Sequence, residues 1–352
     1  MVVLLLSIVL AHTVAAANFG IGFNLNFDYA TASVIYANGT SIGIAKVEGG
    51  PSYKRMMRNQ VWKMPSQDPP HARQDQLQHV ATRKPQIRLQ DIRDHLPPWL
   101  GGRAPDERTQ LIKRMLQSLC GTAEAYTESD VHDIVTVFPG MPSPEIMEAT
   151  KSATTSIGLH LPAIGHSCAP SMAIYANRWA RLGHGWIDEN ECYHWRERLV
   201  LAVDYSRAAL TGALYAEDCF GLLDGIRGFQ DTNLGKDAAW SNADGTGRSG
   251  VVEALRRLLH MPVVTDEGNV LDRIHSVALS GEAGYDEHFR SILREVLQSE
   301  LGTANVSAEA IYDPSMASET MVDPLYASAI GSAAICWERL EETERVKKLE
   351  LR

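Results

Sequence analysis

Two stretches of this chain share one plan, and that plan limits the fold more than any other feature. Leu199–Asp237 reads LVLAVDYSRAALTGALYAEDCFGLLDGIRGFQDTNLGKD: an apolar run ending at Asp204, a second apolar run, a turn at Glu217-Asp218 and a close at Leu234-Gly235. An apolar strand that stops at a carboxylate and leads at once into a hairpin presents an acid to a cleft at the sheet's edge. Phe23–Val47 has the same shape, with Asn24 after Gly22-Phe23 and a second strand running to an Asn38-Gly39 turn. Asn24 precedes the pair Tyr36-Ala37 by twelve residues, and Asp204 precedes Tyr215-Ala216 by eleven. A two-lobed duplication is the expectation.

The chain has 352 residues, 45% of them hydrophobic and 22% charged, enough for one large core or two medium ones. The net charge of −10, with no Lys/Arg run longer than two, argues against nucleic acid, because phosphate contacts need clustered cations. Val2–Leu10 is apolar and is followed by small residues, with Ala15 and Ala17 in an A-x-A arrangement. This pattern predicts a signal peptide over residues 1–17, although a basic first segment is missing, and the run is too short for a membrane span. Sequons at Asn38 and Asn305 are compatible with a secretory route, the endoplasmic reticulum lumen or beyond. Five cysteines (Cys120, Cys168, Cys192, Cys219, Cys336) have no metal spacing, and their odd number leaves at least one thiol unpaired or intermolecular.

In chain order, Pro51–Pro105 reads as a polar surface loop with one short helix at most. Helical spacing covers Asp106–Tyr126. A short strand at Ile134–Val137 is stopped by Pro139, and a helix follows over Ser143–Ile157, with Ser143 as N-cap, Pro144 at the first position and Gly158 at the end. A strand at Leu161–Ile164 leads into a helix at Cys168–Trp179. This alternation predicts mixed α/β sheets covered by helices. The second half repeats the plan: polar Ser241–Ser249, a helix at Val251–Leu259, a strand at Ser276–Leu279 and a helix over roughly Tyr285–Leu301. Near the end Asp323 caps a helix beginning at Pro324, rich in small residues that let a backbone approach closely, and the charged Glu338–Arg352 reads as its solvated end.

Several of these stretches together resemble the nucleotide-binding domain of the seventy-kilodalton heat-shock (DnaK-type) chaperones, in the actin-like ATPase superfamily. Within Asp133–Tyr175, IVTVFPGM is similar to the family's V-I-T-V-P-A-x-F and ATKSATTSIGL to A-T-K-x-A-G-x-I-A-G-L. LAVDYSRAALTGAL and then Leu234-Gly235 resemble the second phosphate loop D-L-G-G-G-T and the later L-G-G. VALSGEAGYDEHFRSILREVL resembles the V-L-V-G-G adenosine segment with its helix, and DPLYASAIGSAA the last helix, D-E-A-V-A-x-G-A-A. The order is the family's, and the match covers most of the chain after Arg108. The resemblance implies a two-lobed, ribonuclease H-like fold, each lobe a mixed sheet flanked by helices: lobe I over 18–198, lobe II over 199–322, and a C-terminal helix over 323–352 returning to lobe I.

The departures from the family bear on function. Its first phosphate loop, G-I-D-L-G-T-T, stands here as Gly22–Asp28, with Asn24 for the acid and Asn26 for the glycine. The second loop keeps Asp204 but has Ser206, Arg207 and Ala208 for three glycines. One adenosine-segment glycine survives, as Gly281. The family's Glu-Pro falls at Ser167-Cys168, and no counterpart of its catalytic lysine occurs in Pro51–Pro105. Glycine loops cradle phosphate because backbone N–H groups converge at positive φ without a Cβ. Three or four replacements at about 1–2 kcal/mol each would weaken binding by roughly 10²–10⁴-fold or more if the loop kept its shape; otherwise the loop takes another shape. Asn for Asp also removes charge that would hold a hydrated metal. Only about forty residues, Lys236–Ser276, fill the place of the adenine-clasping helical subdomain, which is expected to be reduced or absent.

The leading expectation is therefore a degenerate, chaperone-like pseudo-ATPase of the secretory pathway. It would bind a small molecule or polypeptide in the interlobe cleft, at the former phosphate and adenosine loops Asn24, Asn26, Asp28, Ser206, Gly235 and Gly281, with no cofactor and no metal. With no peptide-binding domain after Arg352, a self-contained chaperone is not expected. One alternative is a cofactor-free cyclase or isomerase in which Asp204 and His166 share acid–base work and Arg207, or the Asn amides, steady negative charge; against it stands a plain ion pair between Asp204 and Arg207. Another alternative is retained weak binding of ATP with magnesium. His160, His166, His184 and His194 lack the i, i+4 spacing of a helical zinc site, and no G-x-S-x-G occurs.

Overall fold

The computed structural model describes residues 19–64, 106–161, 168–182, 198–217, 223–241, 246–260, 274–301 and 322–350. The signal peptide expected at 1–17, most of the Pro51–Pro105 segment, the strand expected at Leu161–Ile164 beyond its first residue, Ser167, Cys192, Cys219 and Asn305 lie outside them.

The described chain forms two four-stranded mixed sheets flanked by helices. Sheet I contains β1 (Phe19–Leu25), β2 (Tyr29–Tyr36), β3 (Ser41–Glu48) and, after α1 (Pro51–Arg58) and α2 (Glu107–Thr127), β4 (Val135–Val137). Then come α3 (Pro144–Ser156) and α4 (Ala169–Leu182). Sheet II contains β5 (Arg198–Tyr205), β6 (Leu210–Glu217), β7 (Leu223–Asp231) and, after a short α5 (Lys236–Ala239) and α6 (Thr246–His260), β8 (Ile274–Ser280). Helices α7 (Glu287–Leu301) and α8 (Ala327–Glu350) complete the fold. The strand orders are β3-β2-β1-β4 and β7-β6-β5-β8, antiparallel through the first three strands with the fourth added parallel. The two halves thus share one topology.

Register sharpens the duplication. Asn24 pairs with Thr31 where Asp204 pairs with Thr211, so these residues are structural counterparts. Tyr36 pairs with Phe19, whereas Tyr215 pairs with Val200 and so matches Ile35, not Tyr36. The two Tyr-Ala pairs are one residue out of step. Strand side chains alternate faces, so the two tyrosines do not occupy equivalent places.

Local chemistry accounts for the element ends. Asp106 accepts a hydrogen bond from Thr109 N (2.8 Å) to cap α2, and Ser143 Oγ accepts from Ile146 N (3.4 Å) ahead of Pro144 to cap α3. Gly158, at φ +76°, follows α3. Asn38 lies exposed in the β2–β3 turn, its side chain accepting from Thr40 N. Two helix starts and one strand depart most from the sequence expectation. Helix α6 begins at Thr246, inside the polar stretch, because Gly247 seats its first turn against Ala239: a Cβ there would meet Ala239 O at 1.6 Å. Helix α8 begins at Ala327, since Asp323 closes a turn through its backbone to Tyr326 N and its carboxylate to Leu325 N. The third strand of sheet II, β7, has few apolar residues, because it is an edge strand with one neighbour.

Three apolar clusters define the layers. One packs α1, α2 and α3 on the outer face of sheet I, through Tyr53, Met57, Ile112, Leu116, Leu119 and Ile146. A second packs α6 and α7 on the outer face of sheet II. The third lies between the sheets and holds α4 and α8, with Ile35 from sheet I and Val200, Ala202 and Ala213 from sheet II. Helix α8 lies so close to β1 that a Cβ on Gly20 would stand 2.4 Å from Ala333 O, and one on Gly22 would stand 2.1 Å from Ala329 O. Gly331 likewise admits the backbone of α4 at Met172. Cys120, Cys168 and Cys336 are free and buried.

Candidate functional site

The β1–β2 and β5–β6 turns meet where the strands of both sheets end, the usual place for a ligand in open α/β sheets. Each is a four-residue turn closed in the same way, by Asn26 N to Tyr29 O (2.9 Å) and Ser206 N to Ala209 O (3.0 Å). Among the described residues other than glycine, only Glu128 has positive φ. Asn26, Phe27, Asp28, Ser206, Arg207 and Ala208 therefore carry no left-handed strain, and these loops take an ordinary tight-turn shape rather than that of a glycine cradle. Ala208 and Ala209 of the second turn are buried in the first lobe's core cluster.

Asp204 is 3% exposed and accepts hydrogen bonds from Ser280 Oγ (2.8 Å) and from the side chain of Asn26. Burial pushes its carboxyl up to about 6; the bonds from Ser280 and Asn26 pull the other way, and the nearby charge of Glu282 pushes up again. Tyr29 is fully buried, and its phenolic oxygen accepts from Glu282 N (3.1 Å). Burial, then the charges of Asp204 and Glu282, raise its pKa well above the ordinary value. Lys46 Nζ lies 2.5 Å from Glu282 Oε2 and 2.7 Å from Glu48 Oε1, and sits 4.9 Å above the Tyr29 ring. Burial disfavours its charge, but its bonds and attraction to Glu282 and Glu48 more than offset this and leave its pKa raised.

Arg207 does not pair with Asp204. Its guanidinium meets Asp237 on the surface, with Nη2 2.9 Å from Oδ2, because its turn directs it away from the strand end that buries Asp204. Asp28 is likewise engaged, by the guanidinium of Arg58. Gly235 packs against the second turn, where a Cβ would stand 2.4 Å from Ala208 C. Gly281 has φ +95° and would place a Cβ 2.3 Å from Tyr205 O, so no other residue fits there without displacement. His166, proposed to share acid–base work with Asp204, lies outside the described residues, as do His184 and His194. His160 pairs with Asp133 (2.7 Å). No group of three or more His, Cys, Asp or Glu able to hold a metal occurs among the described residues.

Asn24 stands apart. It is 2% exposed, and its Oδ1 has no hydrogen-bond partner among the described residues. The approaches of Gly20 to Ala333 and Trp337, and of Gly22 to Ala329 and Ala333, advance four residues along α8 for every two along β1. The same progression brings Asn24 beneath the first turn of α8. Thr31 and Ser33, on the same face, also have unpartnered hydroxyls. Gly281 N donates to Pro324 O (2.9 Å), so the segment leading into α8 meets the turn after β8.

Tyr29, Lys46 and Glu282 are the residues that sequence reasoning missed. They come from β2, β3 and the turn after β8, with no common spacing. The only local signal was their position beside singled-out residues: Tyr29 follows Asp28, and Glu282 follows Gly281. The chain matches no family model and no curated protein.

Proposed function

We propose that this chain is a degenerate actin-like, heat-shock-chaperone-like pseudo-ATPase, a two-lobed scaffold that engages a small molecule or polypeptide at its interlobe cleft without hydrolysing nucleotide. The observation that carries the reading is the state of the two turns. Side chains of Asn26 and Tyr29 reach across to Asp204 and Glu282, and neither turn offers the converging, positive-φ amides that bind phosphate. The duplicated strand order and the helices held between two sheets support the superfamily assignment. The direct test is a thermal melt of the purified chain with millimolar ATP and magnesium: no change in Tm is expected, and a rise of several degrees would overturn the proposal. In this reading the protein travels the secretory pathway, supported by the apolar leader pattern and the exposed Asn38. A glycosidase-sensitive mass at Asn38 checks that part.

A further inference from the structure

The contacts between the two halves form one seam with unbalanced charge, buried at Asn26, Tyr29, Asp204 and Ser280 and open to solvent at Lys46. From lobe I come the Asn26 side chain, the Tyr29 phenol and Lys46; from lobe II come Asp204, Ser280 and Glu282. Glu282 is the hub. Its backbone N–H donates to Tyr29, one carboxylate oxygen meets Lys46, and the other accepts from Arg207 N (3.4 Å). The Glu282 side chain is 10% exposed. The seam thus holds two carboxylates, Asp204 and Glu282, against one cation, Lys46, which Glu48 also shares.

Asp204 lies on β5 between Thr211 of β6 and Ser280 of β8. Among the described residues, the titratable groups acting on it are Glu282, from the turn after β8, and Tyr29, from β2. Lys46 of β3 reaches it only through Glu282. When Asp204 is ionised, its own charge is held out of contact with water beside the negative Glu282, which is costly at low dielectric. When it is protonated, Glu282 and Lys46 balance, and no hydrogen bond is lost. The Ser280 hydroxyl turns to accept from the new O–H, and the carboxyl keeps acceptor capacity for the Asn26 amide.

We propose that this seam is a proton-operated clasp: protonation of Asp204 holds the two lobes together, and its ionisation lets them part and hydrate the carboxylate. Parting would expose the strand-end surfaces of both lobes, so the clasp would govern access to the cleft whatever occupies it. The proton moves between Asp204 Oδ and water, and no other bond changes. The elevated carboxyl of Asp204, about 6 in the closed seam, places the switch between mildly acid and neutral conditions. Once the lobes part, the carboxylate is hydrated and returns to the ordinary Asp range.

The test is hydrogen–deuterium exchange of the full chain between pH 5 and pH 8, corrected for intrinsic rates and followed in peptides covering residues 26–29 and 281–284. Population arithmetic for one group with these two values gives about a tenfold loss of protection across that range. In Asp204→Asn, which stays neutral, protection at pH 8 is expected to match that of the native chain at pH 5. The proposal is overturned if seam protection in the native chain is the same at both pH values, a result that needs no variant to fold. It is also overturned if Asp204→Asn keeps the full pH dependence. ATP binding is not read in this experiment, so its outcome is separate from that of the pseudo-ATPase proposal.

Discussion

The contact between α8 and β1 should be the least forgiving packing in the molecule, and Gly22→Ala tests it. The added Cβ would stand 2.1 Å from Ala329 O and 2.2 Å from Ala333 N, both backbone atoms that no rotamer change can move. An ordinary contact stands at 3.4–4 Å, so α8 must lift by roughly an ångström or more over this turn. Lifting loosens the contacts that Ile330, Ala333 and Trp337 make in the buried layer between the sheets. Overpacking of this kind costs about 1–3 kcal/mol and sometimes more. With two backbone atoms in conflict, we expect about 3 kcal/mol at Gly22. Gly20→Ala meets Ala333 O at 2.4 Å and Trp337 N at 2.6 Å and should cost somewhat less. Because one lifted helix relieves both conflicts, the double variant should lose less than the sum of the two. Gly121→Ala is the control. It sits inside α2 with nothing within 4 Å, so alanine should stabilise the chain by about 0.4–1 kcal/mol. Urea denaturation with a check that the m-value is unchanged reads all four proteins. An unchanged midpoint for Gly22→Ala, or full additivity of the pair, would refute the reasoning.

Three further outcomes follow from single residues. Thr31→Val replaces an unpartnered buried hydroxyl by a methyl of the same shape and should raise stability by about 1 kcal/mol; a loss would mean that a bound water satisfies the hydroxyl. Gly281→Ala combines φ +95° with a 2.3 Å approach to Tyr205 O and should cost at least about 2 kcal/mol, seen as a lower urea midpoint. The carboxyl of Asp204 stands at about 6 when folded against an ordinary 3.8. The folded state therefore keeps the proton to higher pH, and its stabilising contribution is fully present below the ordinary value and lost as pH rises through about 6. It amounts to about 3 kcal/mol in all, with about 2 kcal/mol lost between pH 4.5 and 7. Urea curves of the native chain and Asp204→Asn at those two pH values should differ by that amount, and parallel pH profiles would contradict it.

Much of the architecture was legible in the residue pattern. The β5–β6 hairpin reads from two apolar runs around a turn, the body of α2 reads from its helical spacing, and the capped start of α3 reads from Ser143-Pro144, because strand period, turn chemistry and caps act within a few residues. Elements whose stability comes from a neighbour were harder to see. Strand β7 has little apolar content because only β6 pairs with it, and the first turn of α6 begins in a polar segment because Gly247 fits against Ala239. The candidate site divides in the same way. Asp204 at a strand end and the loss of glycines at Ser206, Arg207 and Ala208 are local facts, and the sequence alone determined them, together with the small-residue stripe of α8 that allows its close approach. Which groups those residues face was decided by the tertiary fold: within the second half Arg207 turns to Asp237 and Asp204 to Ser280, and between the halves Asn26 turns to Asp204 and Tyr29 to Glu282. The physical reason is range. Caps, turns and strand periods are set by neighbours along the chain, whereas the charge state of Asp204 depends on burial and on groups such as Glu282, about eighty residues away, that only the tertiary fold brings beside it.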